Sequence, residues 1–464
     1  MNTKKKNFFQ VFIGDKDFYR TTVMIVLPII IQNTISNVVS LLDNVMVGQV
    51  GTLQMSSVAI INQLMFVFYL CIFGGLAGPG IFSTQYVGAG NIKGVQDCFR
   101  LKFWLALAMT VIGTIVFFGF STDLINLYLT ESGDSAVHVM EYARDYLKIM
   151  VVGLLPFSIT QVYAMTLREN GKTTLPMIAS VIAIFVNLIF NFILIFGHLG
   201  FPAMGVQGAA IATVLSRFVE LSIVMIATHT QQKKYAFIHG VYRSLKVPMD
   251  LMKKVAVKGL PLLVNEFLWS SGMAAILACY SVRGIHAVAA CNIASTVNNL
   301  FNVVFLSMGN ATAIMIGQAL GAKENDKAYE LSWKLIGTSV ISSLIMGTLM
   351  FLFAPVIPNI YNTEPEVKNL ACELLRVLAV LMPVFSVPHC CYFTLRAGGK
   401  TFVTFLFDCV YTWVVTYSCA WVLCEKTVLP IIVCYAIVQS MDIIKGIIGI
   451  ILVKKKVWIH NIVV

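Results

Sequence analysis

Asp43 stands near the end of a long apolar run, Thr21 to Val47, and chemistry in this chain is most directly read from it. Advanced by about 100° per residue, a helix over this run gathers Gln32, Asn33, Ser36, Asn37, Ser40, Asp43 and Asn44 within an arc of roughly 140°. Ile31, Val38, Leu41, Leu42, Val45 and Met46 fall on the opposite side, with Thr34 the main exception. An ionised carboxylate at bilayer depth costs at least ~2.5 kcal/mol, so it is kept where it has a partner or a task. Such a group binds a proton or a small cation, or responds to a cationic solute. The pattern predicts one wall of a wet cavity inside a membrane protein.

Other polar groups interrupt apolar runs. Asn187 and Asn191 lie one helical turn apart and are placed to meet Asp43 across a cavity. Amides donate and accept, so they hold either a protonated or an ionised carboxylate. In the second half, Asn265 and Glu266 are followed a turn later by Trp269 and Ser270, and Asn292, Ser295, Asn299 and Asn302 share one helical face. Single Asn and Ser residues also serve as hydrogen-bonding glue between spans, at ~0.6–2 kcal/mol each, and for these residues both readings stand. For Asp43 and Glu266 the functional reading is favoured.

Two segments ending in Gly-Lys-Thr, at 171–173 and 399–401, resemble a phosphate loop only in part. The glycine required five residues earlier is Thr166 in one copy and Thr394 in the other, so both read as tight turns. No metalloprotease, serine-hydrolase or His-Cys constellation is found, and no enzyme activity and no cofactor are expected. His198, His286 and His389 are scattered and read as interfacial or cavity-polar groups. The 11 cysteines, among them the adjacent Cys390 and Cys391, have no metal-ligand spacing and read as apolar packers.

The elements that must position these residues are transmembrane helices. Of the 464 residues 58% are hydrophobic and only 12% charged, about half the charge of a soluble domain. About twelve stretches are long enough to span, centred on 21–47, 56–80, 101–120, 143–165, 174–197, 205–228, 255–280, 286–316, 331–355, 370–394, 402–424 and 428–453. The net charge of +11 does not indicate nucleic acid, because the basic residues fall in alternate gaps. They include Lys4, Lys5 and Lys6 before the first span, Lys233 to Lys258 after the sixth, and Lys454 to Lys456 at the end, while Asp123, Glu131, Asp134, Glu364 and Glu366 occupy intervening gaps. By the positive-inside rule both termini and the central connector face the cytoplasm of a multi-pass plasma-membrane protein. The basic start runs into a full-length span without a cleavage site, so no removable signal peptide is expected.

An internal repeat orders the spans. An offset of 233 carries Leu27-Pro28 onto Leu260-Pro261, Gly51 onto Gly284, and Gln85, Gly88 and Ala89 onto Gln318, Gly321 and Ala322. An offset of 228 carries Leu167-Arg168 and Gly171-Lys172-Thr173 onto Leu395-Arg396 and Gly399-Lys400-Thr401. Six spans per copy give both halves the same orientation, and parallel repeats of this kind bind substrate between the halves near the midplane. The expected organisation is an all-α polytopic protein with an amino-terminal lobe over 1–228, a basic linker over 229–253 and a carboxy-terminal lobe over 254–464.

Leu27-Pro28 through Gln32, Asp43 and Val47-Gly48, the Gln85-x-x-Gly88-Ala89 segment, both Leu-Arg-x-x-Gly-Lys-Thr turns, and Asn187-x-x-x-Asn191 running into Phe196-Gly197 resemble the MATE (multidrug and toxic-compound extrusion) transporters. The resemblance covers nearly the whole chain and recurs in both halves. It implies a V-shaped bundle of twelve helices exporting organic cations in exchange for inward H⁺ or Na⁺. Asp43 matches the family's first-helix acid, which would also be the Na⁺ ligand if sodium is the coupling ion, and Asn187 matches its fifth-helix asparagine. At the position of Asn191 some members carry Asp. One branch places a cation-site Glu where this chain has Trp269, and a tenth-helix Asp near Phe385, where there is no acid; Glu266 is out of register with both.

Together these readings predict a monomeric antiporter in the membrane lipid, with Asp43, Asn187, Asn191 and Gln32 coupling the ion. Asn265, Glu266, Trp269, Asn292, Asn299 and Asn302 would serve coupling or substrate in the second lobe, and Asn33, Ser36, Asn37 and Ser40 would line the cavity. The alternative is a flippase for a lipid-linked precursor, whose diphosphate would need in-span cations such as Arg217 and Lys445.

Overall fold

A computed structural model describes residues 11–129, 133–361 and 363–463. Lys4, Lys5, Lys6 and Glu131 lie outside the described residues, as do the side chains of Leu41 and Asp134. Among the described residues all regular structure is helical. Lys16–Gly48, Thr52–Gly88 and Ile92–Gly119 are the first three spans, and Ser135–Val152 with Leu154–Glu169 make the fourth. Thr174–Phe196 and Gly205–Thr230 are the fifth and sixth. Met249–Ser281, Ile285–Gly321, Asn325–Phe353, Pro365–Ala397, Thr401–Lys426 and Ile431–Lys454 are the seventh to twelfth.

Several helices are longer than their apolar stretches, because a helix continues past the hydrocarbon wherever its polar end is solvated. The fourth span is not one straight rod. It bends by 44° where Gly153 separates its two pieces. Pro156 lies in the first turn beyond the break, where its missing N–H removes a hydrogen bond that a continuous helix would need.

The two Gly-Lys-Thr segments are turns of one design. Gly171 and Gly399 adopt φ of 71° and 72°, a region open to glycine and costly for other residues. In the first, Gly171 N donates to Arg168 O at 2.8 Å and Lys172 N to Leu167 O at 2.8 Å. The second repeats the pattern, Gly399 N to Arg396 O at 2.9 Å and Lys400 N to Leu395 O at 3.2 Å. These bonds satisfy carbonyls that a helix end leaves open.

The chain forms two compact units. One consists of Ile31–Ser83 and Ile92–Gly259; the other holds the described parts of Met1–Ile30, Thr84–Asn91 and Leu260–Val464. This division differs from the repeat-derived lobes because long helices carry their ends into another core. Phe18, Ile25, Val26 and Ile29, at the start of the first span, are buried in a cluster with Met308, Ile316, Leu335, Leu395 and Trp458.

The basic segment after the sixth span packs on the third. Its short 3₁₀ turns, Ala236–Ile238 and Val241–Arg243, bury Phe237, Ile238 and Val241. Gln96 Nε2 donates to His239 O at 2.8 Å, Arg100 Nε to Val241 O at 2.9 Å and Trp104 Nε1 to Leu245 O at 3.0 Å. The carboxy-terminal tail is docked as well. Trp458 is fully buried, Asn461 Nδ2 donates to Leu320 O at 2.9 Å, and Gln85 joins Ala397 O at 2.9 Å to the tail through His460 O and Ile462 N.

Candidate functional site

Asp43 lies in the first compact unit beside a cavity of about 570 Å³. The first span contributes Ser36, Ser40, Asp43 and Asn44, and the second adds Asn62, Gln63 and Tyr69. The fifth supplies Ser180, Asn187 and Asn191, and the sixth Thr213, Ser216, Arg217 and Glu220. The fifth and sixth spans approach closely because the sixth carries Gly208, where a methyl group would stand 2.6 Å from Leu194 O. That contact sets the asparagines and the guanidinium on adjoining walls.

The carboxylate is gripped by amides. Asn191, 1% exposed, donates from Nδ2 to Asp43 Oδ1 at 2.7 Å. With the Asn187 amide turned so that its nitrogen faces Asp43, it donates to both carboxylate oxygens at 3.1 Å while its oxygen accepts from Thr213 Oγ1 at 3.2 Å. Asn191 Oδ1 is buried and has no hydrogen-bond partner among the described residues. A buried acceptor beside a carboxylate is an arrangement that suits a proton or a cation. Across the cavity, Arg217 pairs with Glu220 at 3.4 Å and lies over the rings of Phe157 and Tyr69, at 5.1 and 6.0 Å.

The other predicted groups are distributed unevenly. Gln32 does not reach Asp43; its Oε1 accepts from Arg168 Nη2 at 2.9 Å, about three helical turns away. Asn33 and Asn37 are half-buried on the same helix and lie outside the cavity lining, whereas Ser36 and Ser40 are part of it. Trp269, Asn292 and Asn299 are exposed, and Asn302 is half-buried with Oδ1 unpartnered among the described residues. His198 stacks on Phe192 with centroids 4.4 Å apart, exposed His286 pairs with Glu364 at 2.9 Å, and His389 packs between Phe305 and Phe393.

A second polar cluster occupies the other unit. Asp408 of the eleventh span accepts from Lys445 Nζ of the twelfth at 2.6 Å and from Asn265 Nδ2 of the seventh at 3.0 Å. Asn265 is 1% exposed and also faces Tyr392 Oη at 3.4 Å. Glu266 is half-buried and interacts electrostatically with Arg396 and Asp408. Sequence reasoning identified Asn265, Glu266 and the lone cations Arg217 and Lys445 but passed over Asp408. The signal was available, since Asp408 interrupts an apolar stretch as Asp43 does.

Comparison with known proteins adds a family. The MatE family model matches residues 28–193 and 261–422, one match in each half. A probable multidrug resistance protein NorM of Thermotoga maritima is 26% identical over 405 residues, covering 86% of this chain and 84% of its own length. A probable multidrug resistance protein YoeA of Bacillus subtilis is 26% identical over 422 residues, 89% of each chain. Among solved structures, an outward-facing multidrug resistance MATE family transporter superposes with a TM-score of 0.84 at 20% identity, over 98% of this chain and 99% of that one.

Proposed function

Because the chain belongs to the MatE family of membrane transporters, we propose that it exports small organic cations in exchange for inward H⁺ or Na⁺, with Asp43 as the carboxylate that ion and substrate both address. The observation that carries this reading is the grip of Asn191 and Asn187 on Asp43 at the edge of a cavity large enough for an organic solute. A proton or Na⁺ neutralises the carboxylate, and a cationic solute prefers it ionised. Occupancy by one therefore disfavours the other.

In this scheme the ligand that binds one conformation better biases access toward that side of the membrane, by no more than its difference in affinity. An inside-negative potential adds about 2.3 kcal/mol per charge per 100 mV to ion entry. Both termini lie in the cytoplasm and the working unit is a monomer in the plasma membrane. The flippase alternative is weaker on geometry: Arg217 is paired with Glu220 and Lys445 with Asp408, so the in-span cations that would hold a diphosphate are already engaged.

Asp43→Asn tests the proposal. Dye efflux from vesicles, with ΔpH and ΔNa⁺ imposed separately, should fall about tenfold or more, the factor that ~1.4 kcal/mol of lost differential binding produces. Undiminished efflux at normal expression would remove Asp43 from the coupling role. The gradient that drives the unaltered protein identifies the ion.

A further inference from the structure

The unit containing Leu260–Val464 holds a buried ion pair to which the proposed exchange at Asp43 assigns no part. Asp408 and Lys445 have side chains only 16% and 11% exposed, and both carboxylate oxygens are engaged, one by the ammonium and one by Asn265. Asn265 Oδ1 is buried beside them with no hydrogen-bond partner among the described residues. The rings of Phe407 and Tyr411 have centroids 5.6 and 6.0 Å from Lys445 Nζ. A carboxylate, an amide oxygen and two aromatic faces are the groups that recognise an ammonium or a weakly hydrated monovalent cation.

Two further features set the place apart. The eleventh span is π-helical over Leu406–Val410 and again over Thr412–Tyr417, so Asp408 projects from a widened turn, a distortion frequent at functional sites. The repeat offset of 228 also carries Arg217 of the sixth span onto Lys445 of the twelfth. Each half thus bears a cation at one position. In the first unit the guanidinium pairs with Glu220, and Asp43 is left to amides; in the second the ammonium sits on the carboxylate itself.

We propose that Asp408 and Asn265 form a monovalent-cation seat that the ammonium of Lys445 fills from within the chain. The seat is permanently loaded in the unaltered protein, and free H⁺ or Na⁺ exchanges only at Asp43, a consequence that rests on the antiport reading above. Glu266, His389 and Asp442 interact electrostatically with Asp408, and His389 and Asp442 also with Lys445, with Arg396 acting on Glu266.

Removing the tethered charge should open the seat to an untethered one. Purified Lys445→Ala is expected to gain about 3 °C in Tm in ethylammonium or sodium chloride over choline chloride at the same ionic strength. The unaltered protein and the Asp408→Asn/Lys445→Met pair, which lacks both charges, should melt alike in all three salts. Lys445→Gln keeps a donor to Asp408 without its charge, and carries the same comparison if Lys445→Ala does not accumulate. Equal melting of the single variant in every salt, or the same gain in the double variant, overturns the proposal. Melting is independent of efflux, so its failure would leave the role of Asp43 standing, and loss of the Asp43 role would leave the seat standing.

Discussion

Asn191 reaches from the fifth span to the first, its Nδ2 donating to Asp43 Oδ1 at 2.7 Å. Asn191→Ala removes that donor, a hydrogen bond to a charged group worth about 1.5–3 kcal/mol. Ion-driven efflux should fall several-fold while membrane yield stays near normal, and full retention of efflux would show that the amide is only interhelical glue. Asn191, one turn beyond Asn187 in an otherwise apolar run, and Asp43 were legible in the sequence because a polar atom in hydrocarbon must find a partner. The Asp408–Lys445 pair was harder to read. Each charge interrupts an apolar run, but the partners are 37 residues apart on different spans, so the sequence does not show that the two neutralise each other.

At the scale of elements, apolar length revealed the spans because hydrocarbon thickness dictates it, while bends and widened turns escaped because they leave hydropathy unchanged. Gly153 and the π-helical turns of the eleventh span are apolar stretches like any other until the backbone is seen. The repeated Gln-x-x-Gly segments acquire a physical reason at this scale. A methyl group on Gly88 would stand 1.9 Å from Gln318 O, and one on Gly321 would stand 1.9 Å from Gln85 O. The second and eighth spans therefore cross backbone to backbone at equivalent places. Gly321→Ala should cost about 1–3 kcal/mol by forcing those backbones apart, whereas Gly119→Ala, with no neighbour within 4 Å, should not. Melting of the two purified variants checks this, and equal stability would mean that the crossing yields without cost.

At the scale of the whole molecule, the 233-residue offset disclosed two related halves, and the family match at 28–193 and 261–422 falls on the same two halves. The compact units follow a different line, because a repeat records ancestry while a core records which side chains touch. The tail illustrates this: nothing in its composition announced that Trp458 would be fully buried and Asn461 bonded to the end of the eighth span. Ending the chain after Lys455 should destabilise the protein by about 3–5 kcal/mol, the usual cost of losing a buried tryptophan. A melting temperature unchanged by the truncation would show the tail to be ornamental. The basic connector carries a last consequence. Its apolar residues Phe237, Ile238 and Val241 are spent on the third span, and Leu245 is tied there through Trp104. Only Lys246 to Pro248 then reach Met249 and the seventh span. A nick in those three residues would sever the polypeptide without baring an oily surface, while one before Phe237 would strip the collar from the third helix. A carrier of this type assembled from two separate gene products would be expected to divide just ahead of its seventh helix.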